Sequence, residues 1–191
     1  MDFSTLQLRD ATISARGAKS CQLVDSKNEK VHMNLGSKAE PLTTPFGATN
    51  FGGEETARRT LEFSLSQEQY EFRKSFDEWA VKYLFDNCTR FFKKKQTMDQ
   101  IREQYKSPVS QKGDYRPMLR TKINVSGSGL CRCWDENDQR MDMPEDLRNY
   151  ALVPKVQISH LWQMNKEFGW VINVQDLLCR GQPQISPFAD E

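Results

Sequence analysis

Polar and apolar residues alternate along several segments of this chain, most clearly between residues 118 and 125. Successive side chains of a strand point to opposite faces, so this alternation predicts a strand with one polar and one apolar face. The polar face carries Arg120, Lys122 and Asn124. The apolar face carries Leu119, Thr121, Ile123 and Val125. Such a strand is typical of a sheet that covers a core on one side and meets solvent on the other.

Similar short segments predict further strands on both sides of this one. In the first half of the chain they are residues 3–13, 19–25, 31–35 and 59–65. In the second half, besides the strand at 118–125, they are residues 130–134, 153–162 and 169–178. Residues 126–129 read Ser-Gly-Ser-Gly, which predicts a tight hairpin turn between the strands at 118–125 and 130–134.

A helical pattern begins after residue 66. Ser66 and Gln69 have the spacing of a capping box, and Leu65 and Tyr70 have the spacing of the accompanying hydrophobic staple. Apolar residues then recur at helical intervals at Phe72, Phe76, Trp79, Ala80, Tyr83, Leu84, Cys88 and Phe91. We predict one amphipathic helix over about residues 67–92 and a shorter helix at residues 98–105.

This order of elements predicts an α+β fold that is mainly β with one long helix. An OB-fold-like small barrel, with a helix between its third and fourth strands, fits the order best. The alternative is an open antiparallel sheet with the helix packed across one face. We expect residues 1–180 to form a single domain with a long loop at 36–55, and residues 181–191 to form a flexible acidic tail.

Several classes of protein are disfavoured by what the sequence lacks. No window approaches the roughly 18 apolar residues of a membrane helix, so we expect an intracellular protein without a membrane partner. The five cysteines are an odd number without a disulfide framework, and Cys131 and Cys133 do not have zinc-site spacing with His32 and His160. No phosphate-cradling loop or nucleophile elbow occurs, so we predict no catalytic residue, metal or cofactor and a non-enzymatic function.

Charge is unevenly distributed along the chain although the total is only +1. Between residues 90 and 122 there are ten Lys or Arg residues and three acids, so this stretch carries +7 and the remainder carries −6. Asymmetry of this size favours a polyanionic partner.

Candidate binding residues combine cations with aromatic rings, which is the chemistry that single-stranded nucleic acid requires. The predicted phosphate contacts are Lys93, Lys94, Lys95, Arg116, Arg120, Lys122 and Arg132. The predicted stacking platforms are Phe92, Tyr115 and Trp134. A plain solvated sheet face explains the cations equally well, and three lysines at a helix C-terminus are favourable without any ligand.

The remaining aromatic residues divide into two groups. Phe46 and Phe51 lie in the predicted long loop, where a contact with a ligand or partner is an alternative to packing. Trp162 and Trp170 continue apolar strand faces, so we interpret both as packing residues rather than nucleic-acid contacts.

Together these segments resemble single-stranded DNA-binding proteins of large DNA viruses and, more distantly, phage replication proteins with an OB core. The resemblance lies in residues 45–47, 61–92, 115–122, 155–162 and 168–174. It implies an OB fold and the coating of exposed strands during DNA replication, recombination or repair, in the host nucleus or at a cytoplasmic replication site. It also implies a tail that recruits replication proteins. In this chain the tail residues would be Phe188, Asp190 and Glu191.

Two other functions remain open at this point. The exposed phenylalanines and the tail would equally suit a protein-interaction or virion-associated structural module. An RNA-binding protein is a variant of the first hypothesis, since no residue here distinguishes deoxyribose from ribose. The sequence also leaves open whether the chain forms a homo-oligomer.

Overall fold

The computed structural model describes residues 3–15, 17–49 and 56–181. The strands before the first helix are β1 (Gln7–Leu8), β2 (Thr12–Ile13), β3 (Lys19–Val24), β4 (Val31–Asn34), β5 (Ala48–Thr49) and β6 (Arg58–Ser64). The strands after the helices are β7 (Tyr105–Lys106), β8 (Val109–Ser110), β9 (Met118–Asn124), β10 (Arg132–Trp134), β11 (Arg140–Met141), β12 (Tyr150–Met164) and β13 (Glu167–Gly181). Single 3-10 turns occur at Phe3–Thr5 and Leu147–Asn149. The prediction of a mainly β chain with a helical insertion is confirmed.

Three helices follow β6, namely α1 (Gln67–Asp86), α2 (Cys88–Phe92) and α3 (Met98–Gln104). The capping box of α1 is formed by Ser66 and Gln69, as predicted. The prediction of one continuous helix over residues 67–92 is wrong at Asn87, which leaves helical geometry with φ −113° and ψ 21°. The Asn87 side-chain amide donates to the carbonyl of Tyr83 at 2.9 Å, so a local polar contact replaces helical continuation.

The sheet is built around the long antiparallel hairpin β12–β13. Its strand order is β1-β3-β12-β13-β9-β6-β5, and β4 joins β12 beside β3. Within the described residues the two end strands do not pair with each other, so the expected small barrel is not closed. Instead, the short strands pair with different segments of the two long strands β12 and β13. The predicted loop at 36–55 contains β5 and a bridge between Leu42 and Leu152.

The predicted hairpin at residues 126–129 is wrong. Both β9 and β10 run parallel to β13 along the same edge, pairing with Asn173–Val174 and Asp176–Leu178 respectively. After β9 the chain turns, and the Cys131 amide donates to the carbonyl of Asn124 at 2.9 Å. The chain then pairs with β13 a second time, as β10, at residues further along that strand. The edge of β13 is long enough to offer this second pairing site, which a local turn motif does not reveal.

The core lies between the sheet and α1. Phe76 of α1 meets Trp170 of β13 with ring centroids 5.3 Å apart, and both residues are buried. In β9, Leu119, Thr121 and Ile123 are buried, whereas Arg120, Lys122 and Asn124 lie on the opposite side. The alternation that the sequence shows is therefore confirmed. No helix among the described residues is long and apolar enough to span a membrane.

Candidate nucleic-acid interface

Polar side chains cover the side of the sheet that faces away from the core. Register places Thr60, Lys122, Asn173 and Gln157 directly opposite one another on β6, β9, β13 and β12. We call this surface the polar face. Its central members are Arg58, Thr60, Lys122, Asn124, Gln157, His160, Asn173 and Gln175.

A first groove of about 170 Å³ crosses the polar face. The described residues that line it are Arg58, Lys122, Asn124, Gly129, Asn173, Val174 and Gln175, which include two cations and no carboxylate. Arg58 donates to the side-chain oxygen of Asn173 at 2.8 Å, and Lys122 donates to the hydroxyl of Thr60 at 2.8 Å. Partial burial, with the charges of Arg58 and Arg120 nearby, lowers the pKa of Lys122. An anion placed here would relieve that repulsion.

A second groove of about 530 Å³ adjoins the first, because Asn173 lines both. Its other lining residues are Arg9, Asp10, Thr12, Ser20, Gln22, Lys30, Gln157, Ser159 and His160. The single carboxylate among these described residues, that of Asp10, is already paired with Arg90 at 2.8 Å. Burial, reinforced by the charge of Arg58, lowers the pKa of His160. The two grooves form one polar track with more cations than acids.

Two of the predicted cations lie near this track but are each paired with an acid. Arg120 contacts Glu62 at 2.8 Å, and Arg132 contacts Asp176 at 2.7 Å. The indole N–H of Trp134 also donates to Asp176, at 3.1 Å, and the guanidinium of Arg140 lies 5.6 Å from the Trp134 ring centroid. The carboxylates offset part of the positive charge, and Arg140 covers part of the predicted stacking platform.

The predicted lysine run and Phe92 lie away from the first groove. Lys93, which ends α2 in the left-handed conformation with φ 56°, and its neighbours Lys94 and Lys95 are exposed. Phe92 is partly buried and meets Phe168 with centroids 5.4 Å apart. Phe168 belongs to the buried core and lies on the face of β13 opposite to Asn173. The structure therefore does not bring Lys93–Lys95 together with Lys122.

Tyr115 and Arg116 lie at a third groove of about 640 Å³, beside the start of α1. Tyr115 is 80% exposed, so its ring is available for contact. Among the described residues that line this groove, the carboxylates are Glu40, Glu68 and Asp114, and Arg116 is the single cation. This excess of negative charge disfavours phosphate. The binding roles of Tyr115 and Arg116 remain predictions.

Sequence reasoning missed Arg58, Gln157, His160 and Asn173. Gln157, His160 and Asn173 lie on the β12–β13 hairpin and Arg58 lies far earlier in the chain on β6, so the sheet register is what brings Arg58 to the other three. A sequence signal was present for Arg58, because it alternates with Thr60 on β6 in the same pattern that identified the polar face of β9. Phe51 and the tail residues Phe188, Asp190 and Glu191 lie outside the described residues.

The part of the chain that the structure describes contains no metal-binding site. All five cysteines are free thiols, and four of them are buried. Within residues 3–15, 17–49 and 56–181, no group of three or more His, Cys, Asp or Glu side chains is arranged to hold a metal ion.

Comparison with known proteins identifies the fold. No protein-family model and no curated protein sequence matches this chain. Among solved structures, it is similar to gp2.5, a single-stranded DNA-binding protein encoded by bacteriophage T7, with a TM-score of 0.54 and 11% identity over 85% of this chain and 92% of that one. It is also similar to the single-stranded DNA-binding protein from bacteriophage Enc34, with a TM-score of 0.49 and 11% identity over 96% and 94% of the two chains. The likeness to gp2.5 shows that this chain shares its fold.

Proposed function

We propose that this protein binds single-stranded DNA through the polar face and has no enzymatic activity. The observation that carries the proposal is the track formed by the two grooves, in which no carboxylate of the described residues opposes Arg58 or Lys122. The fold supports it, because gp2.5, which shares that fold, is a single-stranded DNA-binding protein.

The chemistry of the track suits a single strand better than a duplex. Arg58 and Lys122 supply charge for phosphates, while the amides of Asn124, Asn173 and Gln175 donate to and accept from base edges or sugars. These groups lie in grooves across a sheet, where an unpaired strand can bring both its backbone and its bases into contact. Because phosphate contacts release counterions, affinity should fall steeply with salt.

The test is an anisotropy titration of labelled oligo-dT, oligo-U and a matched duplex at two salt concentrations. We expect tighter binding to oligo-dT than to the duplex, with affinity that falls as salt rises. Equal affinity for single and double strands would contradict the proposal, as would affinity that salt does not change. The oligo-U arm decides whether the preference is for DNA.

The biological setting is a further part of the proposal. We propose that the chain coats exposed strands during replication, recombination or repair, and that it is a viral protein. Phe188, Asp190 and Glu191 are the candidate contacts to replication proteins. A chain ending at residue 181 should keep its affinity for DNA and lose those partners. Sedimentation at several concentrations, with and without oligo-dT, measures whether the protein self-associates.

A further inference from the structure

The four tryptophans of this chain all lie within the described residues, and three of them are already engaged. Trp170 packs against Phe76 in the core. Trp79 meets Phe3, Phe76 and Tyr83 with ring centroids 5.3–6.1 Å apart. Trp134 is hydrogen-bonded to Asp176 and faces Arg140.

Trp162 is different. It is partly buried, yet it is not among the residues that pack against the core cluster. Its neighbour Leu161 points into the core and pairs with Trp170, so Trp162 lies on the opposite side of β12, with the polar face. Within the described residues its ring has no aromatic or cationic neighbour and its N–H has no acceptor.

The position of the indole is fixed by a glycine. Trp162 pairs with Gly169 across the β12–β13 hairpin. A Cβ built on Gly169 would lie 3.1 Å from Cζ2 and 3.2 Å from Cε2 of Trp162, so the indole covers the space that a side chain would fill. The indole is thereby placed against the sheet at Gly169, and its intermediate burial leaves part of the side chain in contact with solvent, as a stacking platform requires.

The platform adjoins the second groove. Ser20, which pairs with Trp162, and His160, two residues earlier on β12, both line that groove. Asn173 connects the groove to Arg58 and Lys122. A strand whose phosphates lie at the first groove therefore reaches the indole by following the polar face across β13 and β12.

We infer that Trp162 is a base-stacking residue at the end of the polar track, where one nucleobase lies against its exposed side. The inference rests on the proposed function and adds a residue that sequence periodicity had placed in packing. Stacking on a ring is tolerant of base identity, so the contact contributes affinity rather than sequence preference.

The test separates stacking from support of the sheet by varying both ring and ligand. Trp162→Leu keeps apolar cover over Gly169 and removes the aromatic face, whereas Trp162→Phe keeps a ring. The ligands are oligo-dT and an oligomer of equal length with abasic sites in place of every base. We expect Trp162→Leu to weaken oligo-dT binding roughly 5- to 100-fold and Trp162→Phe to weaken it less. The abasic oligomer should bind the wild type and both variants alike.

Intrinsic fluorescence adds a direct readout. Oligo-dT should quench wild-type emission, and Trp162→Phe should remove most of that quenching, whereas Trp79→Phe, in the aromatic cluster on the core side, should retain it. Near-wild-type oligo-dT affinity in a folded Trp162→Leu variant would overturn the inference, as would equal weakening toward the abasic oligomer. A wild-type chain that binds no oligo-dT at all would overturn the proposed function itself and the inference with it.

Discussion

Arg58 of β6 donates a hydrogen bond to Asn173 of β13 at 2.8 Å, reaching across the intervening strand β9. Asn173 lines both grooves of the polar face, whereas Arg58 lines only the first. The hydrogen bond therefore connects Arg58, at the cationic end of the track, to Asn173 at its centre. Arg58 and Asn173 are 115 positions apart in the chain. They are neighbours only because β9 lies parallel to β13 and antiparallel to β6.

Glu62 restrains the positive charge of the polar face through its contact with Arg120 at 2.8 Å. Glu62→Gln removes the carboxylate and leaves the guanidinium in place. We expect affinity for oligo-dT to rise about two- to fivefold at low salt, because a partly exposed pair of this kind is worth up to roughly 1 kcal/mol.

The matched control for that change is Glu78→Gln on α1. Glu78 contacts Arg102 at 2.9 Å, but α1 packs on the core side of the sheet. The affinity of Glu78→Gln for oligo-dT, measured by anisotropy titration, should equal that of the wild type. Unchanged or weaker binding by Glu62→Gln would show that Arg120 does not face the bound strand.

Gly169 has no room for a side chain. An added Cβ would lie 2.6 Å from the carbonyl oxygen of Lys106, which is backbone and cannot rotate away. We expect Gly169→Ala to lower the free energy of unfolding by about 1–3 kcal/mol, measured by urea denaturation. Gly181→Ala is the control, since no described atom lies within 4 Å of its added Cβ. Equal stability of the two variants would contradict the packing described for the β7–β13 edge.

Asp77 gives the stability a predictable pH dependence. It accepts hydrogen bonds from Tyr105 and Ser107, each at 2.5 Å, yet burial outweighs them and raises its pKa. A carboxyl whose pKa is raised by folding binds more protons in the folded state, so its contribution to stability falls as pH rises. The fall begins near the ordinary aspartate pKa of about 4 and is complete above the folded pKa.

Urea denaturation of wild type and Asp77→Asn at several pH values tests this account. We expect the wild-type free energy of unfolding to fall relative to that of Asp77→Asn as pH rises through this window. A difference between the two proteins that stays constant from pH 3.5 to 7 would contradict it.

The sequence predicted best where local chemistry determines the structure. The capping box of Ser66 and Gln69 starts α1, and the alternation at Arg120 and Lys122 reads directly as two faces of β9. Both signals are complete within a few residues. The same reasoning failed at residues 126–129, where a hairpin motif was outweighed by pairing of β10 with the distant strand β13.

The candidate site was less accessible to sequence reasoning for the same reason. Asn173 and His160 have no local pattern that distinguishes them from ordinary strand residues, and their proximity to Lys122 depends on sheet order. The lysine run at 93–95 is conspicuous in sequence but follows α2, where Phe92 packs against Phe168 on the core side. Local charge density therefore pointed toward a different surface from the one that the sheet assembles.

The most direct test of the polar face replaces together Arg58 and Lys122, the two groove cations that no described carboxylate opposes. The double variant Arg58→Gln/Lys122→Gln is compared with Lys82→Gln/Arg102→Gln, which removes the same charge from α1 and α3. Oligo-dT anisotropy is measured over a range of salt concentrations. We predict that the first variant weakens binding roughly tenfold or more at low salt and reduces the log–log salt slope by about 1.4, while the second remains close to wild type. Equal loss in both variants would mean that bulk charge, rather than the polar face, holds the strand.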